Sequence, residues 1–279
     1  MADWLDYDDA FEGGGTRIAG TVKVLRGVRS LELGNTRDLL VYLPPSYATD
    51  NRTYPAVYMH DGQNLFDPVT SFAGEWRVDE TLEALAGDGV EAIVVGIPNA
   101  GRQRLAEYSP FEDVRFGRPR AADYLRFVVE TVKPLVDEAF RTTGQREATG
   151  TIGSSMGGLI GLYSFFERPD VFGLVGAVSP SVGFARQALI GYLERTRFVG
   201  GRIYMDVGTH EGLPRDRDPL ELRREPGAYV RLVRHARDLI IGKGYVPGSD
   251  LLYVEDDGGV HNEAAWAARL PAALRFLLA

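Results

Sequence analysis

The sequence predicts an α/β fold with a mostly parallel central sheet, an antiparallel N-terminal edge and helices on both faces. Three observations carry this reading. Short β-rich runs, most of them 4–6 residues, recur along the chain and are bounded by Gly, Pro or Asp. Segments of helical period separate the later runs, as crossovers between parallel strands require. Before residue 60 no helix-length segment intervenes, so that edge is expected to pair antiparallel.

Taken in order, residues 1–20 read as an N-terminal extension, with Gly13–Gly15 the one linker-like stretch, and 21–279 as a single domain. The strand candidates are Leu39–Leu43, Ala56–Met59, Ala92–Ile97, Thr149–Ile152, Leu174–Val178, Arg202–Val207 and Leu251–Val254. From Tyr124 to Phe140, the residues Leu125, Val128, Val129, Val132, Leu135 and Val136 form one apolar helical stripe. Pro134 lies inside that stripe and is expected to bend it. Ala228–Ile241 and Glu263–Leu278 are the other clear helices.

Composition narrows the function. The chain carries 31 basic against 39 acidic residues, a net charge of −8. Such a surface repels phosphate backbones, so no nucleic-acid partner is expected. No apolar run reaches the 18 or so residues of a membrane span, and no membrane partner is expected either. The opening MADWLDYDDAF is acidic and lacks the basic-then-apolar order of a signal peptide, so the expected location is cytoplasmic. There is no cysteine, which removes disulfides, thiolate metal sites and cysteine nucleophiles together.

The sharpest motif is Gly153-Ser154-Ser155-Met156-Gly157, a G-x-S-x-G pattern followed by Gly158. A β-like run precedes it and the helical segment Leu159–Phe166 follows. A strand turning sharply into a helix lifts the hydroxyl of Ser155 above the sheet edge, where the helix N-terminus favours developing negative charge. Serine is a poor nucleophile without a base, and the usual base is histidine. Among His60, His210, His235 and His261, only His261 stands on a loop after the last strand, where elbow hydrolases carry theirs. The orienting acid is expected at the end of the strand Arg202–Val207. Glu211 suits a loop position best, Asp206 is the alternative within the strand, and Asp256 and Asp257 are nearer His261 in sequence. Oxyanion donors are expected from the N–H of Met156 and from Gly62 or Gln63 in the loop His60–Asn64. A metal at His60, Asp61 and Asp67 is not favoured, because no second histidine clusters there.

These residues resemble the putative-esterase group of α/β-hydrolases, which includes enterochelin, feruloyl and acetylxylan esterases and mycolyltransferases. The likeness runs from about Thr21 to Leu278. Its marks are Tyr42–Tyr47, Tyr58–Asp67, Trp76 with Asp79-Glu80, Val95–Asn99, Arg104, Glu107–Pro110 and Gly153–Gly158. The resemblance implies an α/β-hydrolase fold without a large lid, the charged stretch Glu211–Glu225 being a solvated rim. It implies Ser155, His261 and an acid on the loop of Glu211, a small-molecule ester substrate, and no cofactor or metal. Trp76, Arg102 and Tyr108 are the candidates for substrate binding. The expectation is thus a serine carboxylic-ester hydrolase for small, carbohydrate or siderophore-type esters. Acyl transfer to a sugar, or a silent binding module on the same scaffold, are the alternatives.

Overall fold

The computed structural model of the 279-residue chain describes residues 2–11, 18–212 and 227–279. The Gly13–Gly15 linker and most of the Glu211–Glu225 rim therefore lie outside the described residues.

Among the described residues nine strands form one sheet: β1 Trp4–Asp6, β2 Thr21–Ser30, β3 Asn35–Leu43, β4 Ala56–His60, β5 Ile93–Ile97, β6 Thr149–Ser154, β7 Leu174–Val178, β8 Arg202–Gly208 and β9 Leu251–Asp256. Their order is β1-β2-β3-β5-β4-β6-β7-β8-β9. The pairs β1/β2, β2/β3 and β3/β5 are antiparallel, and every pair from β5/β4 to β8/β9 is parallel. The antiparallel N-terminal edge and the parallel body are thus both present. Two strands were not expected. β2 interleaves Lys23, Arg26 and Arg29 with apolar residues and bulges between Leu25 and Val28, so it offers no continuous apolar run. β1 comes from the segment read as an extension and adds an edge strand to the same sheet.

The parallel strands are buried on both faces and so read as unbroken apolar runs. Ala56 and Tyr58 of β4 and Val95 of β5 enter the core on one face, while Val57, Met59 and Val94 enter the core on the other. On the second face lie α1 Val78–Ala86, which the sequence reading did not single out, and the C-terminal helix Glu263–Leu278, while four other helices cover the first. These are α2 (residues 121–139), α3 Met156–Glu167, α4 Phe184–Arg195 and α5 Ala228–Gly242, so the C-terminal helix is α6. Within α2 the stretch Phe127–Val132 is π-helical. The cause is Pro134, whose ring would strike the carbonyl four residues earlier in a regular α-helix and which brings no N–H. A widened turn absorbs that conflict without breaking the helix. Among the described residues no helix is long and apolar enough to cross a membrane.

One buried ion pair ties β3 to the segment leading toward α2. Arg37, 4% exposed, donates from Nη2 to both oxygens of the fully buried Glu107, at 3.0 and 3.1 Å, and stands 5.2 Å from the centre of the Phe127 ring. Removing one partner strands the other charge in the core. Arg37→Met is expected to lower unfolding free energy by about 3–5 kcal/mol. The Arg37→Met/Glu107→Leu double variant is expected to recover most of that loss, as measured by urea denaturation.

Candidate active site

Ser155 sits between β6 and α3 with φ 55° and ψ −119°, a backbone that non-glycine residues rarely adopt. Strain of this kind costs on the order of 1–3 kcal/mol and persists only where the surroundings hold it. Here the Ser155 N–H donates to the Val178 carbonyl at 3.0 Å, and its own carbonyl accepts from Ser181 and Leu159 at 3.0 and 3.1 Å. Packing also dictates the motif. A Cβ at Gly153 would lie 2.8 Å from both the Gly157 backbone and the His60 ring. The Ser155 Oγ is 3.0 Å from the Oγ of Ser181, a buried residue on the loop after β7. Met156 begins α3, and the first amides of a helix have no partner within it.

The imidazole of His261 follows β9 and meets one carboxylate through Nδ1, the Oε2 of Glu211, at 2.9 Å. Its ring is held edge-on by Trp266 (4.9 Å between centroids) and Tyr229 (5.3 Å). Glu211 is fully buried, and burial pushes its carboxyl up. The His261 hydrogen bond, with those from Ser179 Oγ (2.5 Å) and the Gly208 N–H (2.8 Å), outweighs burial and holds it below the usual carboxylate range. Glu211 is therefore ionised at neutral pH.

Asp206 is bonded to other groups than His261. Its Oδ1 accepts from the Ser179 N–H at 2.9 Å, and its Oδ2 from Tyr204 Oη and Arg269 Nε at 2.9 and 3.0 Å. Burial raises it to about 6, despite the Arg269 charge that pulls it down. Arg269, 6% exposed, also donates to Asp256 and to Ser179 Oγ, at 3.0 and 2.8 Å. Asp257 hydrogen bonds Thr209 at the surface. Arg269 was not singled out from sequence, yet its position was visible: it falls on the apolar stripe of α6 with Trp266, Leu270 and Ala273. A charge in a buried stripe demands partners, and it has three carboxylates within 3.5 Å.

The loop after β4 is built as tightly. Asp61 has φ 57°, and its carboxylate accepts from Arg104 Nε and Nη2 at 2.6 and 2.7 Å and from Asn99 at 2.7 Å. Its N–H donates to Tyr108 Oη at 3.1 Å. A Cβ on Gly62 would come within 2.5 Å of the Gly96 and Ile97 backbone, so only glycine fits that crossing. The Gln63 side chain accepts from the Asn99 N–H at 3.1 Å, which fixes the turn carrying both candidate amides. Of the substrate-binding candidates, Tyr108 is fully buried beneath this loop, which makes it a positioning residue. Trp76 is 3% exposed and packs on Trp266 at 5.9 Å, and Arg102 is exposed on the turn after β5.

His60 is buried among these elements, with Nδ1 2.8 Å from Tyr124 Oη and Nε2 3.0 Å from Thr151 Oγ1. It buttresses the elbow glycines Gly153 and Gly157.

A serine on a strand–helix elbow at the carboxyl end of a parallel strand, and a histidine after the last strand bonded to a buried acid, are the marks of the α/β-hydrolase class. The chain belongs to the family described as "Putative esterase", whose model matches residues 30–277, and is accordingly a carboxylic-ester hydrolase. It is 26% identical over 260 residues to protein YbbA of Bacillus subtilis, covering 91% of this chain and 97% of that one. It is 31% identical over 135 residues to the siderophore triacetylfusarinine C esterase of Aspergillus fumigatus, covering 46% of this chain and 44% of the fungal one. Among solved structures, an IroE-like serine hydrolase from Shewanella oneidensis superposes with a TM-score of 0.69 at 20% identity, over 92% of this chain and 80% of that one. At that identity the likeness speaks for the fold.

The burial of His60 has a measurable consequence. Burial lowers it from 6.5 to about 4, so it stays neutral in the folded chain while the unfolded chain takes up a proton. Between pH 6.5 and 4 the unfolded state binds more protons, and stability falls as pH falls. The slope is about 1.4 kcal/mol per pH unit and the whole effect about 3 kcal/mol. In urea denaturation, the stability gap between wild type and His60→Gln is expected to narrow steadily from pH 7 to pH 4.5. A constant gap would mean that His60 is not held neutral.

Proposed function

We propose that the chain hydrolyses carboxylic esters through an acyl-enzyme on Ser155, with His261 as base and Glu211 as the acid that orients it. The observation that carries this reading is the His261–Glu211 bond, made to a buried carboxylate kept ionised, in a chain whose Ser155 stands on a strained strand–helix elbow. Glu211 fixes the tautomer with its proton on Nδ1, which leaves Nε2 to act as base. Nε2 takes the Ser155 proton as Oγ bonds to the ester carbonyl carbon. The resulting oxyanion is received by the N–H groups of Met156 and of Gly62 or Gln63. As the carbonyl re-forms, the C–O bond to the alcohol breaks, and His261 returns the proton to the leaving oxygen. Water, deprotonated by His261, then releases the acid by the same steps in reverse.

The substrate class proposed is small esters of siderophore or carbohydrate type. Support comes from the sequence likeness to the fungal siderophore esterase, of which this chain spans less than half. Exposed apolar side chains fit the same class: Phe72, 91% exposed, lies on the loop after the oxyanion turn, and Val260 adjoins His261.

The test is hydrolysis of p-nitrophenyl acetate and butyrate, with an organophosphonate label located by mass spectrometry. Ser155→Ala is expected to lose at least about 10³-fold in kcat and all labelling. Glu211→Gln is expected to lose about 10²–10⁴-fold in kcat, through loss of the tautomer control. Asp206→Asn is expected to lose less than Glu211→Gln, since its bonds run to Ser179, Tyr204 and Arg269 and reach the imidazole only through them. Full activity in Ser155→Ala would sink the proposal.

A further inference from the structure

The motif Trp76 with Asp79-Glu80 has no part in the ester chemistry proposed above. At the start of α1, Glu75, Asp79 and Glu80 each bring a carboxylate oxygen within 4.8 Å of the other two. Asp79 is wholly buried. Its Oδ2 accepts from the Ala19 N–H at 2.6 Å, while its Oδ1 meets no donor. Glu75 Oε1 and Glu80 Oε2 are likewise buried without a donor. Among the described residues the cation bonded to this group is Arg77, itself 64% exposed, which reaches only the other oxygen of Glu80, at 3.1 Å.

Three carboxylates facing one solvated guanidinium leave a surplus of negative charge where burial makes it costly. Protons or a metal ion can relieve it. A cleft of about 610 Å³ between α1 and α6 opens on Glu75 and Glu80, so water can reach the open side.

We infer that Glu75, Asp79 and Glu80 form a binding site for one hard divalent cation, with Ca²⁺ preferred over Mg²⁺. An all-carboxylate donor set suits Ca²⁺, Mg²⁺ or Mn²⁺ and not a soft metal. Ca²⁺ tolerates irregular shells of oxygens at about 2.3–2.6 Å, whereas Mg²⁺ demands a near-ideal octahedron at about 2.0–2.1 Å. Three carboxylates spread over as much as 4.8 Å fit the larger, more adaptable ion, with water from the cleft completing the shell. The ion would fasten the segment between the oxyanion turn and α1, where Trp76 N–H donates to the Asn64 carbonyl at 2.8 Å and Val78 N–H to that of Leu65 at 3.0 Å.

The test uses the full chain stripped with EDTA. Calorimetric titration with Ca²⁺ is expected to show one ion per chain, and Tb³⁺ is expected to gain luminescence on excitation of Trp76 and lose it to added Ca²⁺. At a hundredfold excess over Kd, Ca²⁺ is expected to raise Tm by about 5 °C, and Mg²⁺ by less. Glu75→Gln and Glu80→Gln should each weaken binding by at least about tenfold. In EDTA, Glu80→Gln loses a repelling charge and should melt above wild type, and with Ca²⁺ the order should reverse. That crossing separates a cation site from a folding defect. No stoichiometric binding with unchanged Tm would overturn the inference, and so would a Ca²⁺ response that survives both substitutions. A larger response to Mg²⁺ would overturn the stated preference.

Discussion

Neighbouring parallel strands stand only about 4.8 Å apart, so loops leaving adjacent strands on one edge must turn sharply to avoid each other. In this protein β4, β6 and β7 are successive neighbours, and each is left through a non-glycine residue with positive φ. These are Asp61 at 57°, Ser155 at 55° and Ser179 at 42°. Glycine would relieve the strain at all three, but each position uses its side chain. Asp61 anchors Arg104 and Asn99, Ser155 carries the candidate nucleophile, and the Ser179 hydroxyl donates to Glu211. The turns therefore have to be held by hydrogen bonds from outside themselves, and much of the polar structure at this edge does that.

Ser179 shows how this is achieved. Its N–H is held by Asp206, and its carbonyl accepts from Tyr229 at 2.5 Å. Its hydroxyl receives Trp266 Nε1 at 3.1 Å and Arg269 Nη2 at 2.8 Å while donating to Glu211. Residues from β8, α5, α6 and the loop of Glu211 thus converge on one strained serine. Trp266 and Tyr229 reappear as the ring contacts of His261. The network that stabilises the turn after β7 is the same one that orients the imidazole, so neither can be loosened alone.

The legibility of this molecule from sequence follows the same division. The parallel body could be read because strands buried on both faces are apolar without interruption, as in Leu174–Val178, whose predicted and observed bounds coincide. The helix Glu263–Leu278 was equally plain from its period. β2 was missed because its alternating charges look like loop, and α1 because nine residues carry too little period to stand out. The serine elbow is local, a five-residue pattern between a strand and a helix. The polar support is not local. Ser179, Ser181 and Arg269 meet Glu211, Ser155 and Asp206 across 26 to 63 residues, and no spacing rule joins them. Tyr108 was a candidate for substrate binding, because sequence distance does not distinguish a side chain lining a loop from one buried beneath it.

Position in the chain favoured Glu211 over Asp206 as the partner of His261, and the physical ground of the difference lies in what surrounds each acid. Asp206 and Glu211 are both fully buried, and both touch Arg269. Desolvation raises each of them, and the outcome is decided by what else donates. Glu211 receives a hydroxyl, a backbone N–H and the imidazole N–H, and ends below the ordinary range. Asp206 receives Arg269, Tyr204 and the Ser179 N–H, lies near the negative Glu211, and ends at about 6. Each carboxylate thus raises the cost of ionising the other, and the one bonded to His261 keeps the lower value. A carboxylate held below the ordinary range behind Nδ1 suits the part proposed for His261. Asp206 gives up that position and serves as the strut that aims Arg269 and Ser179.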